Sequence, residues 1–181
     1  ASLADSQILR EPVRRHSAPC VTYACDKIYD KDKAATIMIA ASDHLILEEQ
    51  KFLDVVKKCV DFVEENPYLL TIGIKPSKPS TGYGYIQYEE EGSNKGFYKV
   101  KTFTEKPSLE IAKTFLKSGD FLWNSGMFVW KAKSILQAIV KYLPEVAEVF
   151  REGQKHYYQS TEESFIQNAY SLCTNISIDY G

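Results

Sequence analysis

The chain has 181 residues, of which 44% are hydrophobic and 25% charged, and its 22 Lys and Arg against 24 Asp and Glu leave a formal charge of −2. That length and apolar content suit one packed domain, or part of a larger one, and argue against disorder. The balance of charge gives no reason to propose a nucleic-acid surface, and no run approaches the roughly 18 apolar residues of a membrane span.

Residues 18–29 read as a helix opened by Pro19 in its first turn, where a missing N–H is harmless. Ala35 to Ala41 is a continuous apolar run, expected as a strand covered on both faces, and Ser42-Asp43-His44 breaks it. Between Glu48 and Glu65, Phe52, Val56, Cys59 and Val63 recur at helical spacing, and Asn66-Pro67 ends that helix. Tyr68 to Ile74 is a second apolar strand. The strand–helix–strand succession predicts a parallel pair with a right-handed crossover.

Lys75 to Gly84, rich in Pro, Ser and Gly, is expected as a loop. Tyr85 to Glu90 and Phe97 to Glu105 read as strands joined by the polar turn EEGSNKG. Pro107 stops the second, and Ile111 to Ser118 is a short helix. Gly126 to Trp130 is a buried strand, followed by a helix with Ile135, Leu136, Ile139, Val140 and Leu143 on one face. Beyond Pro144 the chain reads as helical through Glu145–Arg151 and Thr161–Leu172, and no repeat or linker divides it.

The cysteines, Cys20, Cys25, Cys59 and Cys173, form no C-x-x-C pair and have no His at zinc spacing. They are expected as buried thiols in a reducing compartment. Ala1 to Asp5 lack the charged and apolar regions of a signal peptide, so a soluble cytoplasmic protein is expected.

Candidate chemistry concentrates where strands begin and end. Asp43 directly follows an apolar strand, the place where an acid in an open α/β sheet can reach a metal or phosphate, or simply cap a turn. His44 beside it reads as structural. Thr81 to Ile86 carries Gly82 and Gly84 just before a strand, which suits close approach to a ligand or an ordinary turn. It is no phosphate-cradling loop, because G-x-G-x-x-G and the P-loop lysine are missing. Glu105-Lys106-Pro107 places a carboxylate, which accepts from hydroxyls, beside an ammonium, which binds phosphate as a point charge. A solvated charged strand end explains the same residues. Asn124, within Trp123-Asn124-Ser125-Gly126, offers a donor and an acceptor to paired hydroxyls, or forms a turn with Gly126. Arg14 and Arg15 lie in a basic loop entering the first helix and could serve phosphate or solvent equally. His156 needs no functional role.

These segments occur together in one order: EPVRRHSAP, ASDHLI, TGYGYI, FTEKP, WNSGMF and SIDYG. From Ile8 to Gly181 the series resembles the bacterial mannose-1-phosphate guanylyltransferases within the sugar nucleotidyltransferases. The resemblance implies an α/β, Rossmann-like nucleotidyltransferase sheet flanked by helices. It implies further that residues 1–181 are the central and C-terminal part of one such domain, an internal fragment. The family's Gly-rich, Arg-containing loop has no counterpart here, nor has its later W-x-D-x-G segment with a second metal-binding aspartate. The chain alone is therefore expected to be inactive.

In the implied reaction, the phosphate of mannose 1-phosphate attacks the α-phosphorus of GTP, giving GDP-mannose and pyrophosphate with Mg²⁺ as cofactor. By family position Asp43 would bind the metal, and Gly84 would approach sugar or phosphate by its backbone. Glu105 and Asn124 would grip mannose hydroxyls and Lys106 the phosphate. Arg15 would serve phosphate, and Asp179 sugar or structure. Two departures stand out: RHSAP where R-N-T-A-P is usual, with His16 in place of Asn, and ASDH where P-S-D-H is common. The alternatives are another hexose 1-phosphate as substrate and a non-catalytic sugar-phosphate-binding module. A homodimer is compatible with the resemblance, whereas nucleic-acid and membrane partners are not expected.

Overall fold

The computed structural model describes residues 3–94 and 96–180. Ala1 and Ser2 of the N-terminal reading, Lys95 of the expected hairpin turn and Gly181 of SIDYG lie outside the described residues. In chain order the elements are α1 (Ser17–Lys31), β1 (Thr36–Ile39), α2 (Glu49–Glu65), β2 (Leu70–Ile74), β3 (Tyr85–Asn94) and β4 (Phe97–Thr104). They continue with α3 (Leu109–Ser118), β5 (Phe121–Lys131), α4 (Ala132–Tyr142), α5 (Pro144–Phe150) and α6 (Glu162–Leu172). The chain forms two compact units: Ala1–Ile37, Glu48–Leu69 and Val129–Gly181 make one, Met38–Leu47 and Leu70–Phe128 the other. Their boundaries run through β1 and β5 and beside α2 and β2, where no linker composition marks them.

The first unit has a helical core. Ala18, Val21, Thr22 and Cys25 recur on one face of α1 and are buried, as helical periodicity requires. They meet an aromatic cluster in which Tyr23 stacks on Phe150 at 6.3 Å and Tyr170 meets Phe150 edge-on at 5.9 Å. Offset and edge-on contacts of this kind add about 0.5–1.5 kcal/mol each beyond their burial. Two acids lie within this apolar setting. Asp26 accepts from the Tyr157 hydroxyl at 2.9 Å, and burial pushes its carboxyl up. Glu162 pairs with Lys27 and accepts from the Tyr23 hydroxyl at 2.6 Å and the Tyr158 N–H at 2.8 Å. Burial pushes the Glu162 carboxyl up, but the donors from Lys27, Tyr23 and Tyr158 outweigh it, and the net shift is downward. His156 stacks on Phe165 at 4.7 Å and contacts the Thr161 hydroxyl, in keeping with a structural residue.

The second unit is built on the sheet. The strand order is β1-β5-β3-β4, with β2 also pairing with β5. Next to the loop that precedes it, β3 is regular on both sides. Tyr85, Ile86 and Gln87 pair with Thr104, Phe103 and Thr102 of β4, and with Trp123, Leu122 and Phe121 of β5. Further along, the β3–β4 register shifts between Gln87 and Tyr88 and again between Glu89 and Asn94. Tyr85, Ala112 and Phe121 form a small buried cluster against which Phe115 and Trp123 pack, and the Phe115 and Phe121 rings stack at 3.9 Å. α3 starts where Ser108 accepts from the Ile111 N–H, a cap worth about 1 kcal/mol.

Several expectations need correction. β1 and β2 are not a neighbouring pair, because each pairs with β5. Sequential strands often neighbour each other, but an 11-residue strand formed later in the chain takes the place beside both. β1 is shorter than its apolar run and only its Ile37 is buried, while Ala40 and Ala41 are exposed. An apolar run identifies a strand without saying that both faces are covered. β5 begins at Phe121 rather than Gly126, so Trp123 and Asn124 lie inside the strand. The expected hairpin turn is shorter, since β3 continues through Asn94. On α4, Ile135 and Ile139 are buried but Val140 is 64% exposed, at the edge of the stripe rather than within it.

Candidate functional site

In the second unit the sheet register brings Gly84, Glu105 and Asn124 together. Pairing of Tyr85 with Trp123 sets Gly84 opposite Asn124, and the Asn124 N–H donates to the Gly84 carbonyl at 2.8 Å. Tyr85 pairs with Thr104, so Glu105 emerges beside the same glycine. A Cβ on Gly84 would lie 2.5 Å from Glu105 Oε2, and 3.4 Å from both Asn124 Cβ and the Phe103 ring. The carboxylate thus occupies the space that any other residue's side chain would fill. Glycine is required here for close approach.

Lys106 completes the group. Successive strand residues point to opposite faces, so a carboxylate and an ammonium in sequence meet only where the strand stops. β4 ends at Thr104, and Lys106 adopts a left-handed backbone with φ 40°. Its Nζ comes to 3.4 Å from Glu105 Oε1. A non-glycine residue held in this region costs of order 1–3 kcal/mol and persists only where its surroundings impose it. The Lys106 side chain is 64% exposed and that of Glu105 only 20%. The ammonium is therefore able to turn toward an arriving anion, while the carboxylate is largely covered.

Asn124 is fixed from its carbonyl end. Its Oδ1 accepts from the Thr71 hydroxyl of β2 at 3.1 Å and from the Gly126 N–H at 3.1 Å. Gly126 lies at φ 69°, a left-handed conformation that bends the chain back and closes this side-chain turn within β5. The loop before β3 is fixed as well. The buried Tyr85 hydroxyl donates to the Ser80 carbonyl and accepts from the Ser80 N–H, each at 2.9 Å. The Tyr83 ring packs on Trp123 at 5.0 Å. Thr71 and the Tyr85–Ser80 clamp escape sequence reasoning, because a lone Thr in an apolar strand and a Tyr at a strand start carry no distinguishing pattern.

The other expected residues are Asp43, Arg15 and Asp179. Asp43 is exposed in the turn after β1, within the second unit. Among the described residues no three His, Cys, Asp or Glu side chains cluster as a metal ligand set. A single exposed carboxylate still suits Mg²⁺, which usually takes one or two protein carboxylates and completes its shell with water and substrate phosphates. Arg15 and Asp179 belong to the first unit. The Arg15 guanidinium donates to the carbonyls of Tyr170 at 3.0 Å and Ser171 at 3.4 Å, in the last turn of α6. Asp179 accepts from the Ser177 hydroxyl at 2.8 Å, and Ser17 at the head of α1 accepts from the Ile178 N–H at 2.9 Å. An open cleft beside these residues is lined by Arg14, Arg15, His16, Ser17, Cys20 and Asn175. There burial, with the Glu11 carboxylate, pushes the Cys20 thiol up to about 11.

Residues 3–170 match the family model described as nucleotidyl transferase. The mannose-1-phosphate guanylyltransferase of Escherichia coli is 32% identical over 97% of this chain and 39% of its own length. The xanthan biosynthesis protein XanB of Xanthomonas campestris pv. campestris is 35% identical over 97% of this chain and 37% of its own. The chain therefore spans less than two-fifths of either relative. The crystal structure of mannose-1-phosphate geranyltransferase from Thermus thermophilus superposes with a TM-score of 0.82 at 25% identity, over 96% of this chain and 48% of that one. The family match, the relatives and the shared fold run over the same residues as the sheet and its Gly84–Glu105–Asn124 group, and the chain belongs to the nucleotidyl transferase family.

Proposed function

We propose that this chain is the sugar-phosphate-binding part of an enzyme that transfers GMP from GTP to mannose 1-phosphate, giving GDP-mannose and pyrophosphate. The observation that carries this reading is the Glu105 carboxylate seated against Gly84, with Asn124 beside the same glycine and the Lys106 ammonium 3.4 Å from the carboxylate. A carboxylate and an amide match sugar hydroxyls, and a neighbouring cation matches the phosphate one bond beyond the ring. Relatives that match nearly the whole chain carry the name mannose-1-phosphate guanylyltransferase.

The chemistry makes modest demands on side chains. The attacking oxygen belongs to a phosphate that is already anionic, so no strong general base is required. A bond forms between that oxygen and the α-phosphorus of GTP, and the bond to pyrophosphate breaks, the leaving group carrying off the electron pair. What remains is alignment and neutralisation of crowded negative charge. Glu105 and Asn124 orient the sugar, and Lys106 exchanges its partner Glu105 for the phosphate. Mg²⁺, held by Asp43 and the phosphates, would supply the remaining positive charge. Arg15 and Asp179 are each already hydrogen-bonded within the first unit. The described cysteines are all free, in keeping with a cytoplasmic, reducing setting. No helix among the described residues is long and apolar enough to cross a membrane.

The test is pyrophosphate release by the whole enzyme, with GTP against the other nucleoside triphosphates and mannose 1-phosphate against glucose 1-phosphate. GTP with mannose 1-phosphate should turn over fastest, and Asp43→Asn should abolish Mg²⁺-dependent turnover without changing the melting temperature. Absence of release with that pair refutes the proposal, and release that prefers another hexose 1-phosphate moves it to that sugar.

A further inference from the structure

Three helices of the first unit, α1, α4 and α5, enclose an open pocket of about 330 Å³. Small-molecule sites usually occupy about 300–1,000 Å³, so this one has room for a compact ligand. α4 contributes Leu136 and Val140, one turn apart, and α5 contributes Pro144 and Ala147. Val140 is 64% exposed because its side chain forms a wall of this pocket rather than part of the core. α1 brings the polar groups, Thr22 and Asp26, again one turn apart on one face.

Both polar groups present lone pairs. The Thr22 hydroxyl has a single hydrogen and donates it to the Ala18 carbonyl at 2.7 Å, so it can only accept from anything else. The Tyr157 hydroxyl donates to Asp26 Oδ2 at 2.9 Å, and a carboxylate with about four acceptor positions keeps most of its capacity. Burial pushes the Asp26 carboxyl up and the Asp30 carboxylate adds to this, against the opposing pull of the Tyr157 hydroxyl and Lys33. Its ionised form is therefore short of compensating positive charge. Arg151, the cation of the lining, is 2.8 Å from Glu148 Oε1 and so already paired. With both carboxyls ionised, Asp26 and Glu148 outnumber Arg151, and the pocket is negative.

We infer that this pocket binds a small primary amine with an apolar body, whose ammonium donates to Asp26 and Thr22 while its hydrocarbon lies against Leu136, Val140, Pro144 and Ala147. A primary ammonium carries three N–H donors and no acceptor, which matches two acceptors one helical turn apart. An alcohol of the same shape brings one donor and no charge, and a carboxylate would meet only acceptors and like charge. The pocket belongs to the first unit and the Gly84–Glu105–Asn124 group to the second. The inference therefore stands independently of the sugar-phosphate reading.

The test is titration of the whole protein with phenethylamine, followed by ¹⁵N spectra, with phenylethanol and phenylpropionate as the neutral and anionic counterparts. The amine should shift amides of α1, α4 and α5 saturably, with a Kd of about 1 mM or below, as suits a ligand of this size. The alcohol and the acid should bind at least about tenfold more weakly, the least expected for loss of a hydrogen bond to a charged group. Asp26→Asn keeps an acceptor for Tyr157 and removes the charge, and should weaken the amine by a similar factor. Ala147→Leu fills the pocket without touching the carboxylate and should abolish the shifts. If Asp26→Asn lowers the melting temperature, Ala147→Leu alone decides. The inference is overturned by no saturable shift at about 10 mM amine. Equal binding of the alcohol, or undiminished binding in Ala147→Leu or in a folded Asp26→Asn, overturns it as well.

Discussion

Replacing Gly84 by alanine separates a binding role for this residue from a folding role. The added methyl would sit 2.5 Å from Glu105 Oε2, well inside any real contact, while its next neighbours, Asn124 Cβ and the Phe103 ring, are at 3.4 Å. The only atom that must move is the far end of a flexible side chain. The strand can keep its register, and the stability cost should stay within about 1 kcal/mol, a fall of about 2–4 °C in melting temperature for a chain of this size. To reach an ordinary contact of about 3.4 Å, the carboxylate must retreat by roughly 1 Å, which removes it from hydrogen-bond reach of a bound hydroxyl. A hydrogen bond to a charged group is worth about 1.5–3 kcal/mol, so affinity for mannose 1-phosphate should fall about 10- to 150-fold. Calorimetric titration with mannose 1-phosphate, alongside thermal unfolding, measures both quantities. Unchanged affinity would show that Glu105 is not a sugar contact. A melting temperature lowered by more than about 10 °C would show that Gly84 serves the fold instead.

Other expected outcomes follow from neighbouring features. Tyr85→Phe removes the hydroxyl that clamps Ser80 from both sides, so amide exchange in residues 80–84 should quicken while the rest of β3 keeps its protection, at a cost of about 1–2 kcal/mol. Unaltered exchange in that loop contradicts the clamp. Glu162→Gln leaves Lys27 buried without its counter-charge and should cost about 3 kcal/mol, the low end for such pairs because both side chains keep slight exposure. The same variant carries a pH signature. The Glu162 carboxyl titrates below its ordinary 4.5 when folded, so its contribution is complete above that value and is lost as pH falls through the folded one. Stability measured from pH 7 down to 3 should therefore fall less steeply in Glu162→Gln, and parallel curves would contradict the assignment. Cys20 is only partly buried, yet its thiol is pushed up to about 11, so iodoacetamide at pH 7.5 should label it far more slowly in the folded protein than after unfolding. Equal rates would refute the raised value.

The parts of this molecule that can be read from the chain are those where local chemistry and final environment agree. α1, α2 and α6 follow their apolar periodicity to within a residue or two, because each buries one face. Gly84, Glu105 and Lys106 are legible as a site because a glycine and an adjacent pair of opposite charges sit at the two ends of a hairpin. Pairing of those ends brings them together. Asn124 is legible as a residue but not in its setting. Asn-x-Gly reads as a turn, and only pairing with Tyr85, Ile86 and Gln87 shows that the strand has already begun. The adjacency of β1 and β2 to β5 is illegible for a related reason. It depends on a segment about fifty residues downstream of β2, and the apolar run of each strand is the same whichever neighbour it takes. Thr71 shows the limit most plainly. Its hydroxyl is one polar atom in an apolar strand, and its use appears only once β5 lies beside it.

The two register shifts in the β3–β4 hairpin bear on how this hairpin can change in length. Side chains alternate along a strand, so a residue inserted or deleted at the tip would ordinarily send every later one to the wrong face, and Glu105 would exchange places with Thr104. Here the regular pairs, Tyr85 to Gln87 with Thr104 to Thr102, occupy the end next to Glu105, and both irregular steps lie beyond them toward the tip. These irregular steps act as slack in the pairing. A lengthened or shortened tip can be taken up there without reaching the glycine and the carboxylate, so the hairpin end is free to vary, or to accept a grafted peptide, while the base keeps its alignment.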